Sequence, residues 1–83
     1  MIRITTEDRG ATLAVAGDLI GEWPAFLERE CVPRLEAQPE LSLDLSDLRR
    51  VDDAGIEALR RLKKRGARIR HCPRVISELI GGC

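Results

Sequence analysis

The chain has 83 residues, and its 14 lysine and arginine residues balance 14 aspartate and glutamate residues, so the formal net charge at pH 7 is zero. This length allows one small domain, residues 1–83. With 43% hydrophobic and 34% charged residues, the composition excludes a disordered chain. No apolar run approaches the roughly 20 residues of a membrane span, and the alternating N-terminal residues do not resemble a signal peptide. We therefore expect a soluble cytoplasmic domain without direct membrane insertion.

The charges are distributed unevenly along the chain. Residues 1–48 contain ten acidic and four basic side chains, whereas residues 49–83 contain four acidic and ten basic ones. Such an asymmetry either steers a charged partner towards the folded domain or draws the two halves of the chain together. Both interpretations stay open from the sequence.

The first half of the chain predicts a hairpin and a helix. Ile2 and Ile4 alternate with polar residues, as do residues 12–16, and the turn between them contains a glycine. This pattern predicts an antiparallel hairpin, followed by a loop at residues 17–21. Apolar residues then recur at the spacing of one helix face: Trp23, Phe26, Leu27, Cys31 and Leu35. Pro33 lies inside this helix and predicts a kink or a short break near residues 31–32.

The second half predicts two further strands and two helices. Residues 41–45 alternate as a strand, residues 46–52 are expected to form a connecting loop, and a helix begins at Asp53. Its inward residues are Ile56, Leu59 and Leu62, and an exposed pair of Glu57 with Arg61 is expected on its outer side. Gly66 ends this helix, and residues 67–72 form a short strand. Pro73 opens a last helix that Gly81 and Gly82 stop.

The predicted order of elements is β-β-α-β-α-β-α. Strand–helix–strand units imply parallel strands with right-handed crossovers, and the opening hairpin adds an antiparallel strand. The expected fold is therefore an α/β domain with a mixed four-stranded sheet and three helices mainly on one face.

The cysteines and the histidine predict no metal site. Cys31, Cys72 and Cys83 are odd in number, widely spaced and without a CxxC motif, so a disulfide framework is not expected. A zinc site needs four ligands, and His71 and Cys72, as neighbours in a strand, point to opposite faces. We expect three reduced thiols and no bound metal.

No enzyme chemistry emerges from the remaining polar residues. The chain lacks a nucleophile elbow and a glycine-rich phosphate loop. The carboxylates Asp44, Asp47, Asp52 and Asp53 suggest a magnesium-dependent phospho-acceptor site, but the early strands end without the acidic pair that this chemistry needs. We expect no catalytic residue and no cofactor.

The basic residues between positions 60 and 70 raise the alternative of nucleic-acid binding. Clustered lysines and arginines neutralise phosphates, but reading single strands also requires aromatic platforms. The aromatic residues are Trp23 and Phe26, and both lie on the apolar face of the first predicted helix. A solvated helix flank is the favoured interpretation, and no nucleic-acid partner is expected.

Residues 43–59 resemble the signature of the STAS domain, the fold of bacterial anti-sigma factor antagonists. In that family a strand similar to Asp44-Leu45-Ser46 is followed by a loop and a D-S-(A/S)-G-(L/I) motif that opens a helix. Residues 52–56, read as DDAGI, align with this motif without gaps. Residues 17–19 are similar to the family's G-(D/E)-L, and residues 72–80 resemble its last strand-to-helix segment. The resemblance spans nearly the whole chain and implies a non-enzymatic domain that binds another protein.

The resemblance also implies a site. Asp53 stands where regulated family members carry a serine that an anti-sigma kinase phosphorylates, so Asp53 is the phosphorylation-site equivalent. A phosphoserine carries about −1.5 to −2 charges and is reversible, whereas an aspartate is permanently charged, which implies no switching by serine phosphorylation. Asp53 either caps the helix only or caps it and also contacts the partner. The implied partner surface, in which small residues let a partner backbone approach, is Asp18, Asp52, Asp53, Ala54, Gly55 and Glu57.

Two partners follow from the resemblance. The first is an anti-sigma factor with serine kinase activity, which places the chain in signal transduction and transcription regulation. The alternative is the ATPase of an ABC-type lipid transporter, to which STAS-like accessory subunits bind. Both are protein–protein interactions in the bacterial cytoplasm, and the sequence does not separate them.

Overall fold

The computed structural model describes residues 1–81, so Gly82 and Cys83 lie outside the described residues. Five strands and three α-helices follow one another, and a single 3-10 turn at Asp8–Gly10 joins the first two strands. In chain order the elements are β1 (Ile2–Glu7), β2 (Thr12–Leu19), α1 (Trp23–Ala37), β3 (Ser42–Asp44), β4 (Leu48–Val51), α2 (Asp53–Lys64), β5 (Arg68–Arg70) and α3 (Arg74–Ile80).

The predicted hairpin is confirmed, but its second strand is longer than expected. β1 and β2 pair in antiparallel register from Ile2 opposite Gly17 to Glu7 opposite Thr12. The predicted loop at residues 17–21 is wrong in its first part, because β2 continues to Leu19. Gly17 has a φ of +99°, and a Cβ at this position would collide with the carbonyl oxygen of Met1. Glycine therefore allows β2 to continue past the start of β1.

In the described part of the chain the sheet has five strands instead of the predicted four. β3 pairs in parallel with the first part of β2 and with β5, whereas β4 pairs in parallel with the last part of β2. The additional strand, β4, comes from residues that we expected to form a loop. β3 pairs with residues 12–14 of β2 and β4 with residues 17–19, so one long strand supports two short ones. Within the pairing of β2 with β4, the register shifts between Gly17 and Asp18.

One face of the sheet carries the core. Buried side chains on the strands include Ile2, Leu13, Val15, Leu43 and Ile69, and they join the buried residues of the helices in one cluster. On the strands, side chains of opposite parity, such as Arg3, Thr5, Arg68 and Arg70, are exposed. Because alternate residues of a strand point to opposite faces, this pattern fits three helices on one face of the sheet, as predicted.

Helix α1 does not break at its internal proline. It runs without interruption from Trp23 to Ala37, with Pro33 inside. We expected either a kink or a short break near residues 31–32, and the break does not occur. Proline removes one backbone hydrogen bond, but Leu27, Cys31 and Leu35 are buried along the helix and hold both sides of Pro33 on the core. Trp23 is partly buried, and Phe26 is 37% exposed, so the predicted apolar face is only partly buried.

Helix α2 packs as predicted. Ile56, Leu59 and Leu62 are all buried, and Gly66 follows the helix with a φ of +107°. The predicted pair of Glu57 with Arg61 is wrong, because Arg61 binds Glu28 of α1 through two nitrogens at 2.7 and 3.0 Å.

α3 ends before Gly81, which has a φ of +88°. Within the described residues, no helix combines the length and the apolarity needed to cross a membrane.

Candidate functional site

The Asp52 carboxylate connects the loop after β2 to the first turn of α2. Its Oδ1 accepts a hydrogen bond from the Gly55 amide at 2.8 Å, and its Oδ2 accepts one from the Gly21 amide at 2.9 Å. Its own amide donates to the Leu19 carbonyl oxygen at 3.3 Å. The Gly21 amide, followed by the Gly55 amide, lowers the pKa of the Asp52 carboxyl below its usual value. Asp52 is therefore the N-cap of α2 and also fixes the loop after β2.

Gly55 has a structural role at the same junction. It is buried, and a Cβ built on it would lie 2.5 Å from the Leu19 carbonyl oxygen and 2.5 Å from Cγ2 of Val51. The first turn of α2 thus packs directly against the end of β2. The close approach that we expected from a partner's backbone at Gly55 is made instead by the chain's own backbone. Gly55 is therefore buried below the first turn of α2 and lets this turn pack against the sheet.

Asp53 differs from Asp52 in position and exposure. It is the first helical residue of α2 and is exposed, as is Ala54 after it. The expectation that Asp53 itself caps the helix is wrong, because the side chain of Asp52 makes the capping hydrogen bond. The Asp53 carboxylate still lies in the first turn, where the unpaired backbone N–H groups and the helix dipole favour negative charge. It is available at the surface for another molecule.

Asp18 reaches the same edge of the sheet from β2. It is partly exposed, and its Cα partner in the parallel pairing is Arg50 of β4, while Leu19 pairs with Val51. Because the carboxyl ends of parallel strands lie at one edge, Asp18 and the start of α2 are brought together. Arg49 and Arg50 are both exposed on β4. The sequence predicts a loop at these two arginines, whereas the structure places them on a strand beside Asp18.

Glu57 lies one turn further along α2 and is exposed. Its Oε1 accepts a hydrogen bond from Nη1 of Arg60 at 2.9 Å. Arg60 also donates to the Leu79 carbonyl oxygen at 3.1 Å through Nε and at 2.6 Å through Nη2, which connects α2 to α3. The exposed Glu57 carboxylate therefore lies beside the Arg60 guanidinium, which is itself held by the Leu79 carbonyl oxygen.

We define the α2 entry surface as Asp18, Asp53, Ala54 and Glu57, all of which are exposed or partly exposed. Asp52 and Gly55 are also predicted to lie on the partner surface. In the structure Asp52 is partly exposed and Gly55 is buried, and both hold the backbone beside the exposed residues in place. The surface carries three carboxylates at the edge of the sheet, with Arg50 as a neighbour in β4. It can recognise a complementary charged surface, because its backbone is fixed by the hydrogen bonds of Asp52.

The other acidic and sulfur-containing candidates do not join this site. Oδ1 of Asp44 accepts a hydrogen bond from the Ser46 amide at 2.9 Å, which lowers the pKa of the Asp44 carboxyl. His71 is exposed with a φ of +53°. Cys31 and Cys72 are not joined in a disulfide, and burial raises the pKa of the Cys31 thiol to about 11. Among residues 1–81, no three histidine, cysteine or acidic side chains are placed to hold a metal ion.

Comparison with known proteins adds no family to these observations. No family model matches the chain, and a search of the curated proteins finds no match. The STAS resemblance therefore rests on the residues quoted above and on the element order predicted from the sequence.

Proposed function

We propose that this chain is a non-enzymatic protein-binding domain, similar to the anti-sigma factor antagonists, that binds its partner in the cytoplasm through the α2 entry surface. The observation that carries the proposal is the division of roles between two adjacent aspartates. Asp52 makes both local hydrogen bonds, and Asp53 is exposed beside it. A carboxylate that the local backbone does not use is free to contact a partner.

The charge at Asp53 determines how such a partner is recognised. A serine at this position would become anionic only when phosphorylated, whereas the Asp53 carboxylate is charged at neutral pH without any modification. The charge of this surface therefore does not change with phosphorylation, and the amount of complex depends on the concentrations of the two proteins. A basic patch on the partner is the complement of Asp18, Asp53 and Glu57.

A second candidate partner is the ATPase of an ABC-type lipid transporter. The same observation favours it, because a permanently charged residue suits a constitutive subunit at least as well as a reversible regulator. The two candidates differ in what a serine at position 53 does. An anti-sigma kinase that prefers the unphosphorylated form binds Asp53→Ser more tightly than the wild-type chain, whereas an ATPase that contacts the carboxylate binds it less tightly.

Titration calorimetry with a purified anti-sigma kinase and a purified transporter ATPase from the same organism tests the proposal. The variants are Asp53→Ser and Asp53→Arg, and Glu36→Arg is the matched control, since Glu36 is an exposed acid near the end of α1. We expect one of the two proteins to bind, with an affinity that Asp53→Arg changes and Glu36→Arg leaves unaltered. Binding of neither protein, or binding that is indifferent to Asp53→Arg, contradicts the proposal.

A further inference from the structure

Strand β1 forms one edge of the sheet. Among residues 1–81, the strand order places β1 next to β2 alone, at the end of the path β1-β2-β3-β5. It is six residues long, and all of its side chains except Ile2 and Ile4 are exposed. The backbone groups on the outer side of such a strand have no sheet partner, so an edge of this length is a template for pairing with another strand.

The hydrogen bonds of the hairpin determine which residues face this open edge. The Asp18 amide donates to the Met1 carbonyl oxygen at 2.9 Å, so Met1 and Asp18 form a hydrogen-bonded pair. In an antiparallel ladder such pairs alternate with non-hydrogen-bonded pairs. Arg3, Thr5 and Glu7 therefore bond to β2. The amides and carbonyls of Ile2, Ile4 and Thr6 point outward.

The charges of β1 fit a second copy of the same strand. Arg3 and Glu7 flank Thr5 at equal distances along the strand, and their side chains lie on the same sheet face. In the part of the chain that the structure describes, neither side chain has an ionic partner. A twofold axis through Thr5 places Arg3 of each copy opposite Glu7 of the other, which neutralises both charges.

The same register also suits the backbone. Ile4 of one copy lies opposite Thr6 of the other, and both have outward-facing backbone groups that can exchange hydrogen bonds. Arg3 and Glu7 then occupy non-hydrogen-bonded positions, where opposite Cα atoms approach to about 4.5 Å and side chains are closest. Opposite charges directly across two strands stabilise the pairing, and like charges weaken it.

We propose that two copies of this chain associate through antiparallel pairing of β1 with β1, with Thr5 at the twofold axis and two reciprocal pairs of Arg3 with Glu7. The two sheets then form one continuous sheet, and the interface is closed because each copy uses the same strand. No residue of the α2 entry surface belongs to β1, and the proposal uses only the residues of β1, so it does not rest on the proposed function.

Charge reversal tests the register directly by sedimentation equilibrium of the whole chain. Arg3→Glu creates two pairs of facing glutamates, and Glu7→Arg creates two pairs of facing arginines. Each variant alone should dimerise at least about tenfold more weakly than the wild-type chain. A mixture of the two variants restores both attractive pairs, so it should form a one-to-one dimer with an affinity near that of the wild-type chain.

Two further variants separate this interface from other ways of associating. Thr6→Pro removes an outward amide that β2 does not use, and it should weaken the dimer while circular dichroism shows a folded chain. Val75 and Leu79 are exposed by 69% and 48% on α3, so the double variant Val75→Ser, Leu79→Ser is the control for an apolar contact and should still dimerise. A wild-type chain that is monomeric up to about 1 mM overturns the proposal. So does a dimer that ignores both charge reversals, or a mixture that stays monomeric.

Discussion

At the scale of single residues, two adjacent aspartates have different roles because one precedes the helix and the other begins it. Asp52 has extended backbone angles, with φ of −96° and ψ of −176°, so its side chain turns back to the amide of Gly55. Asp53 has already entered the helix, and its side chain projects outward to solvent. The sequence does not distinguish these two neighbouring aspartates. Their roles differ because the backbone enters the helix between them.

The first prediction compares these two residues. Asp52→Ala should lower the melting temperature clearly, because the amides of Gly21 and Gly55 both lose their acceptor. Asp52→Ser should have a smaller effect, since a serine still caps the helix. Asp53→Ala should leave the melting temperature almost unchanged. Thermal unfolding followed by circular dichroism measures all three, and an equal loss for Asp52→Ala and Asp53→Ala contradicts the assignment of the cap.

The second prediction concerns pH. The pKa of Asp52 is lowered in the folded chain from its usual 3.8, so the charged carboxylate favours folding. This stabilisation is fully present above the unfolded pKa and is lost as the pH falls through the lower folded pKa. Urea unfolding at about pH 7 and about pH 3 should therefore show that the difference between the wild-type chain and Asp52→Asn shrinks in acid. A difference that stays constant with pH would mean that the charge of Asp52 does not contribute.

At the scale of elements, the sequence predicts best what depends on one element alone. The apolar positions of α2 recur at helical spacing, and Ile56, Leu59 and Leu62 are all buried as expected. The pairing of Arg61 was wrong because its partner, Glu28, belongs to another helix that spacing within α2 does not reveal. Strand β4 was missed because it is four residues long, carries two exposed arginines and has no clear alternation.

The third prediction tests the packing of α2. Leu59 is fully buried between the helices and the sheet, so Leu59→Ala should reduce the free energy of unfolding by about 2–5 kcal/mol. Such a loss is a large part of the stability of a small domain. Lys64→Ala, an exposed change in the same helix, is the control and should have little effect. Equal urea midpoints for Leu59→Ala and the wild-type chain would show that Leu59 is not in the core.

At the scale of the whole molecule, the uneven charge distribution is partly used within the fold. Arg61 from the basic half holds Glu28 from the acidic half at 2.7 Å, which supports the interpretation that the two halves attract each other. The sequence also predicts the acidic residues of the α2 entry surface, because the family resemblance locates a motif, and their role in binding stays a prediction. The sequence does not show which residues of this site support the backbone and which are exposed. That distinction depends on the contact between Gly55 and Leu19, which lie 36 positions apart in the chain.

The last prediction uses a cysteine to report on the stability of the whole molecule. Cys31 is fully buried on α1, and burial raises the pKa of its thiol to about 11, so the reactive thiolate is scarce in the folded chain. In the variant Cys72→Ser, Cys83→Ser, a thiol reagent should label Cys31 only when the core opens. The labelling rate should then follow global unfolding, and Leu59→Ala should accelerate it by the factor by which it raises the equilibrium constant of unfolding. The wild-type chain analysed in parallel without reductant should have the intact mass of the free-thiol chain and contain no stoichiometric zinc. Labelling of folded Cys31 as fast as that of the urea-unfolded chain would contradict its burial, and one equivalent of zinc would contradict the prediction that the three cysteines bind no metal.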